Sequence, residues 1–185
     1  MRFGLLGLVL VLGLAACSGT VVRPAYISGS YHPDMVNYAA SRGGMRLEVI
    51  GNPFDEPQAR LERAVAEAMT DSHFGQHMPF ITEVPADFTS PYRVVILFDP
   101  PRNANPKKLC QQAYVPVASQ PGRVRLMAVF CDATYEVTST GGSVGNVGSS
   151  GDPGFRKLLA QVSLLLFPPN DDMDRDNGDF MVTGL

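Results

Sequence analysis

Two histidines four residues apart are the first pattern in this chain whose residue types could do chemistry. On an α-helix, the spacing of His73 and His77 would place both imidazoles on one face, where they could bind a metal ion. Gly75 lies between them and Pro79 follows them, so a helix is expected to have ended before this point. The glutamate of the H-E-x-x-H zinc motif is also missing. We therefore interpret the pair as partly exposed loop residues and predict no metal site.

A serine within a Gly/Ser-rich segment is the candidate nucleophile. Residues 141–145 match G-x-S-x-G, which in α/β-hydrolases places the serine on a sharp turn between a strand and a helix. In that class the catalytic histidine follows the serine, whereas the last histidine of this chain is His77. A segment of glycine and serine also produces the pattern by composition alone. We predict that Ser143 is not catalytic, although triads of another chain order leave a hydrolase with an unrecognised site as an alternative.

Aspartates that alternate near the C-terminus could bind calcium. Residues 172–176 resemble the start of an EF-hand loop, in which successive carboxylates point at one cation. Asn177 stands where that loop needs glycine for its sharp turn, and Thr183 stands where it needs a bidentate glutamate. We interpret residues 170–185 as an acidic disordered tail, with weak calcium binding as the alternative.

The N-terminus carries the clearest motif. Arg2 makes the start positive, residues 4–14 form an apolar run too short to span a bilayer, and the sequence Leu-Ala-Ala-Cys at 14–17 ends that run. This stretch resembles the lipobox of bacterial lipoprotein signal peptides. The resemblance implies export, cleavage before Cys17, a diacylglyceryl group on its thiol and a further acyl chain, such as palmitate, on its amino group. In lipoproteins of the enteric type, an aspartate directly after the lipidated cysteine favours retention in the inner membrane. Since Ser18 stands at that position here, the resemblance favours the outer membrane. A secreted protein or an uncleaved anchor is the alternative.

The remaining cysteines predict a disulfide. With Cys17 lipidated, an even pair is left in an oxidising compartment, which favours a bond between Cys110 and Cys131. Two buried, unpaired thiols are the alternative.

Apolar periodicity predicts the elements. Residues 45–50, 92–98 and 124–131 are typical of strands, and residues 112–117 form a weaker one limited by Pro116. One amphipathic helix begins near Asp55, which forms a capping-box pattern with Gln58, and another begins after Asp152, a good N-cap residue. The pattern predicts an α+β or α/β fold: a two-layer sandwich with a mixed sheet of about four strands and two amphipathic helices on one face.

The chain divides into four segments on composition. We predict a cleaved signal peptide at 1–16, a lipidated tether at 17–30, a single globular α/β domain at 31–169 and the acidic tail at 170–185. Within the domain, the Gly/Ser-rich residues 138–151 have no periodicity and predict a flexible loop.

Charge is unevenly distributed along the chain. Its net charge of −3 argues against a nucleic-acid binder. Between residues 100 and 131 there is no acid, and the basic residues there could contact anionic lipid headgroups or lipopolysaccharide phosphates. The alternative is a solvated surface screened by the acidic tail. These candidate contact residues are Arg102, Lys107, Lys108, Arg123 and Arg125.

The sequence-based hypothesis is a lipid-anchored periplasmic domain with a non-enzymatic accessory or interaction role in the bacterial envelope. Its partners would be the membrane, through Cys17, and an envelope protein complex; no cofactor and no catalytic residue are predicted. The alternatives are a lipid or small-ligand carrier with a pocket between sheet and helices, and an envelope hydrolase.

Overall fold

The structure of this chain is a computed structural model, and it describes residues 19–70, 72–111, 114–116 and 119–169. The predicted signal peptide, Cys17 and the acidic tail lie outside these residues. The strands are β1 (Val21–Val22), β2 (Tyr26–Ile27), β3 (Met45–Ile50), β4 (Phe80–Ile81), β5 (Tyr92–Phe98), β6 (Arg123–Asp132) and β7 (Tyr135–Gly145). The helices are α1 (Asp34–Ser41), α2 (Gln58–Met69), α3 (Pro106–Leu109) and α4 (Pro153–Leu166).

All the strands belong to one mixed sheet. Its order is β1-β7-β6-β5-β3-β4, and β2 also pairs with β7. The strand β3 is parallel to β4 and β5, whereas the other pairs are antiparallel. The predicted α+β class with a mixed sheet is therefore confirmed. The predicted number of about four strands is wrong, because the described residues alone form a sheet of seven. Three of the added strands have two residues each, which is too short for any periodicity in the sequence.

The seventh strand corrects the prediction of a flexible loop at 138–151. Residues up to Gly145 form β7, which pairs with β6 with one register shift, between Phe130 and Cys131. Glycine is needed there because neighbouring elements come close: a Cβ atom on Gly142 would lie 2.7 Å from Leu158 Cδ1 and 2.8 Å from the carbonyl oxygen of Val21. Small side chains in this strand therefore permit close packing, and they do not indicate flexibility.

The predicted tether is also wrong for most of its length. Val21 and Val22 pair with β7, as do Tyr26 and Ile27 five residues further on. Between them, the amide of Arg23 donates to the carbonyl oxygen of Gly141 at 2.8 Å. The chain is thus bound to the edge of the sheet from residue 21, because β7 has backbone groups that would otherwise be unpaired.

Apolar side chains cover both faces of the sheet. The larger core lies between the sheet and α1, α2 and α4, and it includes Leu61 of α2 and Phe155 of α4. The smaller core, on the opposite face, contains Leu97, Val129 and Leu109 of the short helix α3. The two long amphipathic helices, α2 and α4, thus share the larger core, whereas the short helix α3 packs on the opposite face. Within the described ranges, no helix is long and apolar enough to cross a membrane.

Candidate functional site

Cys17, the predicted lipidation site, lies outside the described residues, so its lipidation stays a prediction. The described chain begins at Gly19, two residues later. The structure therefore places the segment that follows the predicted anchor, and this segment leads directly into β1.

The predicted disulfide between Cys110 and Cys131 is confirmed. It joins the end of α3 to β6 across 21 positions, and the two Cα atoms are 5.7 Å apart. Both residues are buried in the smaller core. The bond therefore fixes α3 and the loop around it to the second face of the sheet, where local apolar packing alone is limited.

Arg93 reinforces the same region. Its Nη1 donates to the carbonyl oxygen of Ala133, and its Nη2 donates to the carbonyl oxygen of Cys110. Its Nε lies 3.4 Å from Glu48 Oε1, which also forms an ion pair with Arg46 at 2.8 Å. A guanidinium group suits this position because its planar set of donors can bind two carbonyls and a carboxylate at once.

The structure gives Arg125 a partner that the sequence reasoning missed. Arg125 Nε lies 3.6 Å from Oδ1 of Asp99, whose side chain is buried, and Ser119 Oγ donates to Asp99 Oδ2 at 2.6 Å. Arg125 therefore has a buried carboxylate of the same chain as an ion-pair partner. An acid directly after the apolar strand β5 was the available sequence signal.

Lys107 lines a cleft of mixed polarity between α3 and the edge of the sheet. The cleft has a volume of about 560 Å³, and the carboxylates of Asp132 and Glu136 lie on its wall together with Lys107. Tyr26 and Tyr135 also line it, and their side chains are largely exposed. The cleft thus offers aromatic, acidic and basic groups together. The other predicted basic contacts, Arg102, Lys108 and Arg123, are exposed.

Tyr92 lies beside this region and has a perturbed pKa. Burial raises the pKa of its phenol, and the negative charge of Asp132 and the nearby Tyr38 raise it further. The Tyr38 ring meets the Tyr92 ring edge-on at 5.7 Å. The group therefore stays protonated to higher pH than a free tyrosine, which suits hydrogen-bond donation and not nucleophilic attack.

The structure gives neither the serine pattern nor the histidine pair the local geometry that its chemistry would need. Ser143 lies within a paired strand and not on a turn between a strand and a helix. His73 and His77 lie outside any helix, and the His73 ring packs edge-on against Phe167. Across the described parts of the chain, no group of three or more His, Cys, Asp or Glu side chains could hold a metal ion.

A second concavity lies where the described chain begins. This groove, of about 330 Å³, separates β1 from the last turns of α4. Sequence reasoning missed it because it assigned the N-terminal segment to a tether. Every lining side chain is uncharged: Thr20, Val22, Gln161, Leu164 and Leu165.

Comparisons with known proteins give little further information. No protein-family model matches the chain, and no curated protein matches it. Among solved structures, the chain is similar to the dodecamer of PelC from Paraburkholderia phytofirmans, with 17% identity, a TM-score of 0.42, and coverage of 81% of this chain and 96% of that one. A point variant of that dodecamer has 16% identity, a TM-score of 0.40 and the same coverage. Both scores are too low to support an argument about function.

Proposed function

We propose that this chain is a lipid-anchored periplasmic domain of the outer membrane, with a non-enzymatic accessory or interaction role in the bacterial envelope. The observation that carries the proposal is the disulfide between Cys110 and Cys131. A structural disulfide needs an oxidising compartment, and the lipobox-like sequence ending at Cys17 would deliver the chain to such a compartment. Two independent features of the chain therefore agree on export.

The arrangement of polar groups supports a role in interaction. The cleft beside α3 is open, and it combines exposed Tyr26 and Tyr135 with Lys107 and two carboxylates. Tyrosines at an accessible surface supply contact area at low conformational cost and are enriched in protein interfaces. Ser143, in contrast, lies in the interior of a paired strand, a geometry that does not present a nucleophile.

Labelling of cells with a fatty acid tests the anchor. We expect the wild-type protein to incorporate label and to fractionate with the outer membrane, and Cys17→Ala to lose the label. The matched control is Cys110→Ala with Cys131→Ala, which removes the other two cysteines and should keep the label. An unlabelled wild-type protein, or a labelled Cys17→Ala variant, would contradict the anchor.

Cross-linking in cells tests the interaction role. A photoreactive residue in place of Tyr135, at the cleft, should give a discrete adduct with an envelope protein. The same residue in place of Phe74, which is also exposed but does not line the cleft, is the control. Equal adduct patterns at both positions would contradict a specific partner at the cleft.

The cleft also favours one alternative, a carrier of a small polar ligand. Its volume of about 560 Å³ is within the range of ligand sites, and its lining is mixed in polarity. Native mass spectrometry of the purified protein would then show a bound compound that is lost in Lys107→Ala. An apolar lipid chain would be a poor occupant. It would remove water from Lys107, Asp132 and Glu136 and could not replace the hydrogen bonds that they make with that water.

A further inference from the structure

The pairing of β1 limits how far the domain can lie from a lipid on Cys17. Three residues separate Cys17 from Val21, and Val21 is already paired with β7. Since an extended chain advances at most about 3.6 Å per residue, the Cα atom of Cys17 lies within about 14 Å of that of Val21. This distance is about half the thickness of the hydrocarbon core of a bilayer.

The surface next to this attachment point is apolar. Thr20 lines the groove between β1 and α4, so the groove begins three residues after Cys17. Val21 is 60% exposed and Leu164 is 39% exposed, although both are large aliphatic side chains. The groove has no charged lining residue. Its surface can therefore meet lipid without the cost of removing water from a charge.

We infer that this surface rests on the bilayer that holds the Cys17 lipid. The membrane edge, as we call it, consists of β1 with Thr20 and of Gln161, Leu164 and Leu165 of α4. The inference rests on the proposed lipid anchor and adds an orientation to it. The apolar area is too small to bind a membrane alone, but a short anchor keeps it permanently next to the lipid, so that the contact becomes intramolecular.

The opposite edge of the sheet provides the internal comparison. The strand order places β1 at one edge and β4 at the other. Val84, which follows β4, is 41% exposed and so matches Leu164 in both residue class and exposure. If β1 faces the membrane, Val84 lies on the side of the sheet that points away from it.

The absence of tryptophan from the chain makes a direct test feasible. Leu164→Trp and Val84→Trp each introduce a single indole reporter into the full-length, acylated protein. Each variant is reconstituted into phosphatidylcholine vesicles, with and without lipids brominated on the acyl chains. We expect emission from Leu164→Trp to shift to the blue and to be quenched at least twofold by the brominated lipids. Emission from Val84→Trp should change by less than a tenth.

The outcomes separate this inference from the proposed function. Intact mass shows whether the protein is acylated: an unacylated protein overturns the anchor and the inference together. An acylated protein with equal quenching at both positions overturns only the orientation. A blue shift at Leu164→Trp without quenching by brominated lipids also overturns it, because a second copy or the protein's own acyl chain would then fill the groove. Val21→Trp replaces Leu164→Trp if that variant does not fold.

Discussion

The replacement of Gly142 by alanine tests why a Gly/Ser-rich segment forms one of the long strands of this sheet. Gly142 has no positive φ, so alanine can adopt its backbone conformation. The added methyl group would lie 2.7 Å from Leu158 Cδ1 and 2.8 Å from the carbonyl oxygen of Val21. Leu158 can change its rotamer, but the carbonyl of Val21 belongs to β1 and can move only if the pairing of β1 with β7 is disturbed.

The expected loss of stability follows from two opposing effects. Forcing an extra carbon into a close-packed site typically costs about 1–3 kcal/mol. Alanine restricts the unfolded chain more than glycine does, and this effect alone stabilises the folded state by about 0.4–1 kcal/mol. We therefore expect Gly142→Ala to lower the free energy of unfolding by about 1–2 kcal/mol. For a domain of this size, that corresponds to a fall in Tm of roughly 3–8 °C.

Gly145→Ala is the matched control. Gly145 lies in the same strand, and a Cβ atom there would meet no atom within 4 Å. Its Tm should equal or slightly exceed that of the wild type. Both variants are compared by thermal unfolding followed by far-ultraviolet circular dichroism, and hydrogen exchange reports on β1. The reasoning is refuted if Gly142→Ala is as stable as Gly145→Ala, because the close approach of β1 and α4 to Gly142 would then impose no constraint.

Three further predictions concern the disulfide, the Arg93 hydrogen bonds and the Tyr92 phenol. The double variant Cys110→Ala with Cys131→Ala should lose about 3 kcal/mol by the chain-entropy argument, and a Tm within about 2 °C of the wild type would contradict this. Arg93→Met leaves two carbonyls without their charged donor, so the free energy of unfolding measured in urea should fall by about 2–3 kcal/mol. The control Arg46→Met removes an exposed ion pair and should change the free energy of unfolding by less than about 1 kcal/mol. The pKa of Tyr92 is raised above 10.0 in the folded state, so the unfolded chain loses the phenol proton at lower pH than the folded chain does. The free energy of unfolding should therefore fall as pH rises from about 10 to the folded pKa. Tyr92→Phe should show a smaller fall when urea midpoints are measured over a pH series, and a profile identical to the wild type would contradict the shift.

Capping signals show how far local sequence determines an element. Asp152 is the N-cap residue of α4, as predicted, but its carboxylate accepts hydrogen bonds from the amides of Gly148 and Ser149 and none from its own helix. Gln58, the expected partner of Asp55 in a capping box, donates instead to Glu62 Oε1 of its own helix at 3.0 Å and to the carbonyl oxygen of Val49 in β3 at 3.2 Å. The existence of both helices was predictable, whereas the partners of these side chains were not: Asp152 binds the loop before its helix, and Gln58 is shared between its own helix and β3.

The features of the candidate sites were likewise only partly predictable from the sequence. The disulfide was predictable, because cysteine number and compartment left one pair. The ion pair between Arg125 and Asp99 was not, because Asp99 directly follows β5 and Arg125 lies in β6, 26 positions further along the chain. The groove beside β1 was not predictable either, since its walls come from the first and the last described elements of the chain.

The sequence by itself determined the elements that have a strong period: β3, β5, β6 and the long helices α2 and α4. Such periods report burial on one face or on both, which is a local property of the chain. Only the tertiary structure decided that the Gly/Ser-rich β7 is a strand and that residues 21–27 line its edge. Glycine and serine carry no hydrophobic signal, and the pairing of these segments depends on backbone hydrogen bonds and on the close approach of α4 to Gly142, neither of which leaves a period in the sequence.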